Sequence, residues 1–237
     1  MTLLLQLCRG RSPIVNQGLL RLPREIRDKI YTFAIPKGKW RITDIDEFEQ
    51  DNLTRGIGDP SGFYYPLSKD LVVLRVNKQM RREALPLAYR RTTFILDDLD
   101  DVIKLLIAIG QVGRDNIESL QFPWESRADM ELTRESVPGS DDPLWRFPVM
   151  HTSRCVWLLR QCKRLRYLRL CFEEEILLSM QPEEFMADPG IKELCSIQGI
   201  TRLEIWDLGD SSLAHCRIAK LIMKRMEIVR GEGGSMK

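Results

Sequence analysis

The sequence predicts an α/β protein of mixed helix and strand, a helical head followed by a short, irregular βα array with a mostly parallel sheet. Three observations predict it. An amphipathic helix opens after Leu22 and Pro23; a strand-turn-helix unit runs from Thr92 to Ile109; and segments 117 to 122, 165 to 170 and 200 to 205 share the spacing Leu-x-x-Leu-x-Leu, with Ile or Phe at some of the apolar places. A chain of 237 residues, 43% hydrophobic and 30% charged, can bury a core without disulfide or metal staples.

Residues 1 to 18 are expected to be a flexible terminus. The run Leu3 to Leu5 is too short for a signal peptide and its basic residues, Arg9 and Arg11, follow it instead of preceding it, so secretion is not expected. Nowhere does the sequence reach the roughly 18 to 20 apolar residues of a membrane helix. At Pro23 a helix can begin, because the missing N–H would have no partner in the first turn, and Glu25 and Asp28 put negative charge near its positive end. Ile26, Ile30 and Phe33 follow at spacings of four and three and share one stripe, while Arg24, Arg27 and Asp28 point elsewhere. Such a stripe is either core or a docking face.

Residues 37 to 70 carry Gly38, Gly56, Gly58, Pro60, Gly62 and Pro66 among acids and read as a loop insertion, with a short strand near Trp40 to Thr43. A second helix is expected from Asn77 to Tyr89, lined on one side by Val76, Met80, Ala84, Leu87 and Ala88 and ended or bent by Pro86. The β-branched and aromatic run 92 to 96 is a strand; Asp97 and Asp98 cap a helix from Leu99 to Ile109 that stops at Gly110 and buries Val102, Leu105, Leu106 and Ile109.

The shared apolar spacing of the three later segments is that of the strand in a leucine-rich repeat, although intervals of 48 and 35 residues are too long and unequal for a regular horseshoe. Between them lie a helix from Val149 to Gln161 with Cys155, Leu158, Leu159 and Cys162 inward, and two short helices in 183 to 198 broken at Asp188, Pro189 and Gly190. A last helix follows a cap at Ser211 and Ser212 and presents Leu213, Ile218, Ile222, Met226 and Val229, after which 231 to 237 frays; 124 to 148 is a second loop. Right-handed crossovers set the strands side by side. Leu120, Phe122, Leu168, Leu170, Leu203 and Ile205 then face inward. The outward rows are Ser119, Tyr167 and Arg202; Gln121, Arg169 and Glu204; and Pro123, Cys171 and Trp206. Tyrosine, arginine and tryptophan are enriched at binding hot spots, which makes Tyr167, Arg169, Arg202, Glu204 and Trp206 candidate partner-binding residues unless a helix or the acidic 173 to 175 loop covers them.

Charge names no partner: 36 basic against 34 acidic residues give a net +2, without the field that draws nucleic acid. Lys78, Arg81, Arg82, Arg90 and Arg91 cluster locally, as do Lys220, Lys224, Arg225 and Arg230, and both read as solvated helix faces. Six cysteines without paired spacing fit a reducing compartment. His151 and Cys155 lack the second pair a zinc site needs, so no metal is expected. Neither His151 nor His215 sits in a catalytic signature, Gly56-x-Gly58 lacks a strand before it and a helix after it, and Glu173 to Glu175 reads as a solvated turn. No catalytic residue and no cofactor is expected.

The run LPREIRDKIY at 22 to 31 resembles the opening of an F-box, and more closely the F-box-like domains of filamentous fungi, in which a segment similar to LRVNKQMRREALPLAY (74 to 89) and a strand similar to TTFIL (92 to 96) follow in that order. The resemblance covers roughly the first 110 residues. It implies an F-box-like helical segment at 19 to 91 with its insertion at 37 to 70, joined to the array at 92 to 230. It further implies a non-enzymatic cytoplasmic or nuclear adaptor, the substrate-recognition subunit of a cullin-RING ubiquitin ligase. In that reading Leu22, Pro23, Ile26 and Ile30 would dock on the ligase's linker subunit and the array would hold a substrate protein. One departure is the insertion, since the second helix of an ordinary F-box follows the first after a few residues. Two alternatives stay open: an F-box-derived scaffold with the stripe as internal core and no ligase partner, and a nucleic-acid-binding module using the 78 to 91 cluster.

Overall fold

The structure, a computed structural model, describes residues 16–43, 54–57, 71, 73–126 and 151–233. Its first elements are helix α1 (Asn16–Leu20), helix α2 (Arg24–Ala34), strand β1 (Gly38–Thr43) and strand β2 (Thr54–Ile57). Next come helices α3 (Val73–Val76) and α4 (Lys78–Arg91), strand β3 (Thr92–Ile95), helices α5 (Leu99–Ala108) and α6 (Gly110–Arg114), and strand β4 (Ser119–Pro123). The C-terminal half holds α7 (Thr152–Arg160), β5 (Tyr167–Phe172), α8 (Glu174–Ser179), α9 (Pro182–Ala187), α10 (Pro189–Cys195), β6 (Arg202–Asp207) and α11 (Arg217–Gly233).

Among the described residues the strands form one sheet in the order β2-β1-β3-β4-β5-β6, and every neighbouring pair is parallel. The α/β class and the parallel array are as the spacing predicts. β1 pairs with β3 from Gly38 opposite Thr92, so the sheet runs across position 91/92 and draws the insertion's strand into the same layer. The register aligns Ser119, Tyr167 and Arg202 in one row and Gln121, Arg169 and Glu204 in the next, the rows expected from the shared spacing.

One face of the sheet carries the core. Leu120, Phe122, Leu168, Leu170 and Ile205 are buried and Leu203 partly so, with Ile117, Leu165 and Ile200 turning into their strands. Each such side chain removed from water contributes about 2 kcal/mol before entropy is counted. α5 and α7 lie against one another over this face and bury Val102, Leu105, Leu106, Cys155, Leu158 and Leu159. The Asp98 carboxylate accepts from the Asp101 N–H at 2.7 Å and caps α5, as Asn77 caps α4 through the Met80 N–H at 2.8 Å.

Several expectations are corrected. Asn16–Leu20 is helical although 1 to 18 is expected to be flexible. β2 is a strand within the expected loop insertion, and Gly56 lies in it; Gly58 lies outside the described residues. Pro86 does not end α4, which continues to Arg91, because burial of Ala84, Ala88 and Tyr89 outweighs one lost backbone bond. Val76 is exposed, since it belongs to the separate turn α3. Chain direction changes at Gly110, whose φ of +61° is open to glycine, and α6 follows where a plain stop is expected. Glu174 and Glu175 form the first turn of α8, where the helix dipole favours acids, and not a loop. α11 starts at Arg217 because Ser212 is drawn into a bridge with Trp206, and it runs through Gly231 to Gly233, expected to fray. The turn at 59 to 62, loop residues 127 to 148, Val149, the side chain of Val229 and the last four residues lie outside the described set.

Candidate functional site

Two surfaces hold the predicted site residues, and each is set by a polar cluster on a rigid element. The first is α2. Its inward residues are Arg27, Tyr31 and Ile35, successive steps of four on one stripe, and Tyr31 and Ile35 are fully buried. On α4 they meet Glu83. The Arg27 guanidinium donates to both carboxylate oxygens, Nη2 to Oε1 at 2.7 Å and Nε to Oε2 at 2.8 Å; the Tyr31 hydroxyl donates to Oε2 at 2.9 Å and the Gln79 amide to Oε1 at 3.0 Å.

The hydrogen bonds from Arg27, with those from Gln79 and Tyr31, outweigh burial and hold the Glu83 carboxyl down at about 2. Burial and the same carboxylate push the Tyr31 hydroxyl up to about 12. α2 and α4 are thus joined directly even though residues 35 to 77 separate them in sequence.

This clamp turns the other stripe outward. Leu22, Ile26, Ile30 and Phe33 are 37, 41, 37 and 90% exposed, and Pro23 is exposed between them. Three large apolar side chains in helical register, with Leu22 just before the helix, form the kind of patch that marks an interaction site in a folded domain.

The second surface is the outward face of β5 and β6, where Tyr167, Arg169, Arg202, Glu204 and Trp206 form one network. Glu204 is its hub, accepting from the Tyr167 hydroxyl at 2.8 Å, Trp206 Nε1 at 3.1 Å, Arg169 Nε at 3.3 Å and Arg202 Nε at 2.9 Å. The Arg169 guanidinium lies 3.8 Å from the centre of the Trp206 ring, and Arg202 stands 5.2 Å from that of Tyr167. Burial alone would raise the Glu204 carboxyl, but the hydrogen bond from Tyr167 and the Arg202 guanidinium outweigh it and leave it below the ordinary carboxylate range. The Tyr167 hydroxyl moves the opposite way, raised by burial and by Glu204.

Arg27, Tyr31 and Glu83 form a polar cluster between α2 and α4 that reading the sequence missed. A signal existed: Glu83 is the single acid in the basic run from Lys78 to Arg91. In that basic cluster Arg81, Arg90 and Arg91 donate to the backbone carbonyls of Leu74, Pro86 and Ile35, while Lys78 and Arg82 are exposed. Cys155 is fully buried on the inner side of α7 with its thiol pushed far up by burial, and His151 lies 3.8 Å from Asp100. Among the described residues no helix is long and apolar enough to cross a membrane.

Comparison with protein-family models, with curated proteins and with solved structures finds no match to the chain.

Proposed function

We propose that the protein is a non-enzymatic adaptor. The outward stripe of α2 docks on the linker subunit of a cullin-RING ubiquitin ligase, and the outward sheet face holds a second protein. The observation that carries this reading is the exposure of Leu22, Ile26 and Ile30, the three apolar residues of the F-box-like docking set, on a helix clamped from its opposite side. A docking helix needs its apolar stripe free and its backbone fixed, so that binding orders little else. The direct contact of α2 with α4 bears on the departure noted in the sequence, because the long insertion does not separate the two helices.

The scaffold alternative requires the stripe to be internal; Leu22, Ile26 and Ile30 keep 37, 41 and 37% of their surface exposed, which supports the adaptor reading over it. The nucleic-acid alternative requires free cations, and three of the five in its cluster are drawn onto backbone carbonyls. The test is co-purification of the full chain with a purified linker subunit, compared with Ile30→Asp. Loss of binding with unchanged circular dichroism supports the adaptor, and equal binding of both proteins sinks it.

A further inference from the structure

A cavity of about 400 Å³ opens toward the C-terminal ends of β3 to β6, lined by Lys39 near the start of β1, Ile95 at the end of β3, Gln121 of β4, Arg169 of β5, Asp207 at the end of β6, and Leu208 and Asp210 beyond it. Parallel sheets bind ligands at this edge, because loops diverge there and backbone N–H and C=O groups are left without a next strand. The register explains the floor: Ile95, Gln121 and Arg169 stand opposite one another on successive strands, so the cleft crosses the strands instead of running along them. From β1 to β6 is four strand spacings, about 19 Å, the length of an extended segment of roughly six residues.

The charges along it are unequal. At the β6 end the cations Arg169 and Arg202 face three carboxylates, Glu204, Asp207 and Asp210. Glu204 is saturated by its donors, and Arg169 spans Glu204 and Asp210, at 3.3 and 3.2 Å. The Asp207 carboxylate accepts the Ser211 N–H, and Asp210 is 78% exposed in the turn above it, so two cations against three carboxylates leave this end with an excess of one negative charge. At the opposite end Lys39, exposed on the far strand, and Asp97 sum to no net charge. Leu208 is exposed at the rim next to the acidic end.

We propose that this cleft binds an extended segment of the partner protein that places a lysine or arginine against Asp207 and Asp210. The inference rests on the reading of the sheet face as a recognition surface, and it adds the chemistry of what is recognised. Charge complementarity selects a basic segment: the negative end repels a phosphorylated or acidic residue, while an incoming guanidinium meets two carboxylates and an apolar neighbour meets Leu208.

The probes are fluorescein-labelled peptides of about ten residues carrying a central Lys-Leu-Arg, the same peptides with Glu-Leu-Glu, and a phosphoserine version, titrated by anisotropy against the full chain. The basic peptide should bind at least tenfold more tightly than the other two, and Asp210→Asn, which tolerates that residue's φ of +66°, should weaken it severalfold. Gln121→Trp, which fills the floor without changing charge, should weaken it as well, and circular dichroism checks both folds. Equal binding of the three peptides, preference for the phosphopeptide, or indifference to both variants overturns the inference. Linker-subunit binding is measured separately on the same variants and should be unchanged, so that failure of the α2 docking reading and failure of this one are read in different assays.

Discussion

Arg27 on α2 and Glu83 on α4 face each other fork to fork, with nitrogen-to-oxygen distances of 2.7 and 2.8 Å, and the pair decides which stripe of the first long helix meets the solvent. Paired inward, the charged stripe takes Tyr31 and Ile35 into the core and leaves Ile26, Ile30 and Phe33 outside.

Removing the Glu83 carboxylate takes the acceptor from the buried Tyr31 hydroxyl and leaves the Arg27 guanidinium to the backbone carbonyls of Leu20 and Leu22, with its charge unpaired. Glu83→Ala should destabilise the protein by about 3 kcal/mol, and Glu83→Gln by less, in urea unfolding. A change below about 0.5 kcal/mol for Glu83→Ala would mean that the clamp does not hold α2.

The same carboxylate predicts acid sensitivity. Its folded value of about 2 lies below the unfolded value of 4.5, so its contribution is fully present above pH 4.5 and is lost as pH falls toward 2. The contribution is on the order of 2 kcal/mol once screening on the partly exposed Arg24 side is allowed for. Urea midpoints measured from pH 6 to pH 2.5 should fall for the native protein and fall less for Glu83→Gln.

Charge on the outward stripe should cost little. Ile26→Asp and Ile30→Asp should each shift thermal unfolding by no more than about 3 °C, whereas Phe122→Ala, at the fully buried centre of the sheet, should cost about 4 kcal/mol. Calorimetry of the three variants checks the contrast. A large loss with Ile30→Asp would return that residue to the core.

On the sheet face, Glu204→Ala strips the shared acceptor from Tyr167, Arg169, Arg202 and Trp206. It should cost about 2 kcal/mol, and it should bring the Tyr167 hydroxyl back toward its ordinary value, followed by ultraviolet titration.

Much of the architecture was legible in the chain. The spacing at 117, 165 and 200 is enough to align Tyr167 with Arg202 and Arg169 with Glu204, because a parallel register repeats every second residue and one apolar face admits a single phase. The cap at Asp98 is likewise local, since it needs only a short acceptor three residues before an unpaired N–H. That Pro86 does not end α4 was not legible, because a propensity counts one lost bond and cannot count the core that α4 fills.

What the sequence by itself determined is the class, the strand register and the division of each strand into an inner and an outer row, all of which follow from periodicity. Tertiary structure alone decided which stripe of α2 is outside, because helix periodicity separates two faces without ranking them. That ranking came from Glu83, more than fifty residues away, whose burial is tolerable only where Arg27 and Tyr31 can both reach it.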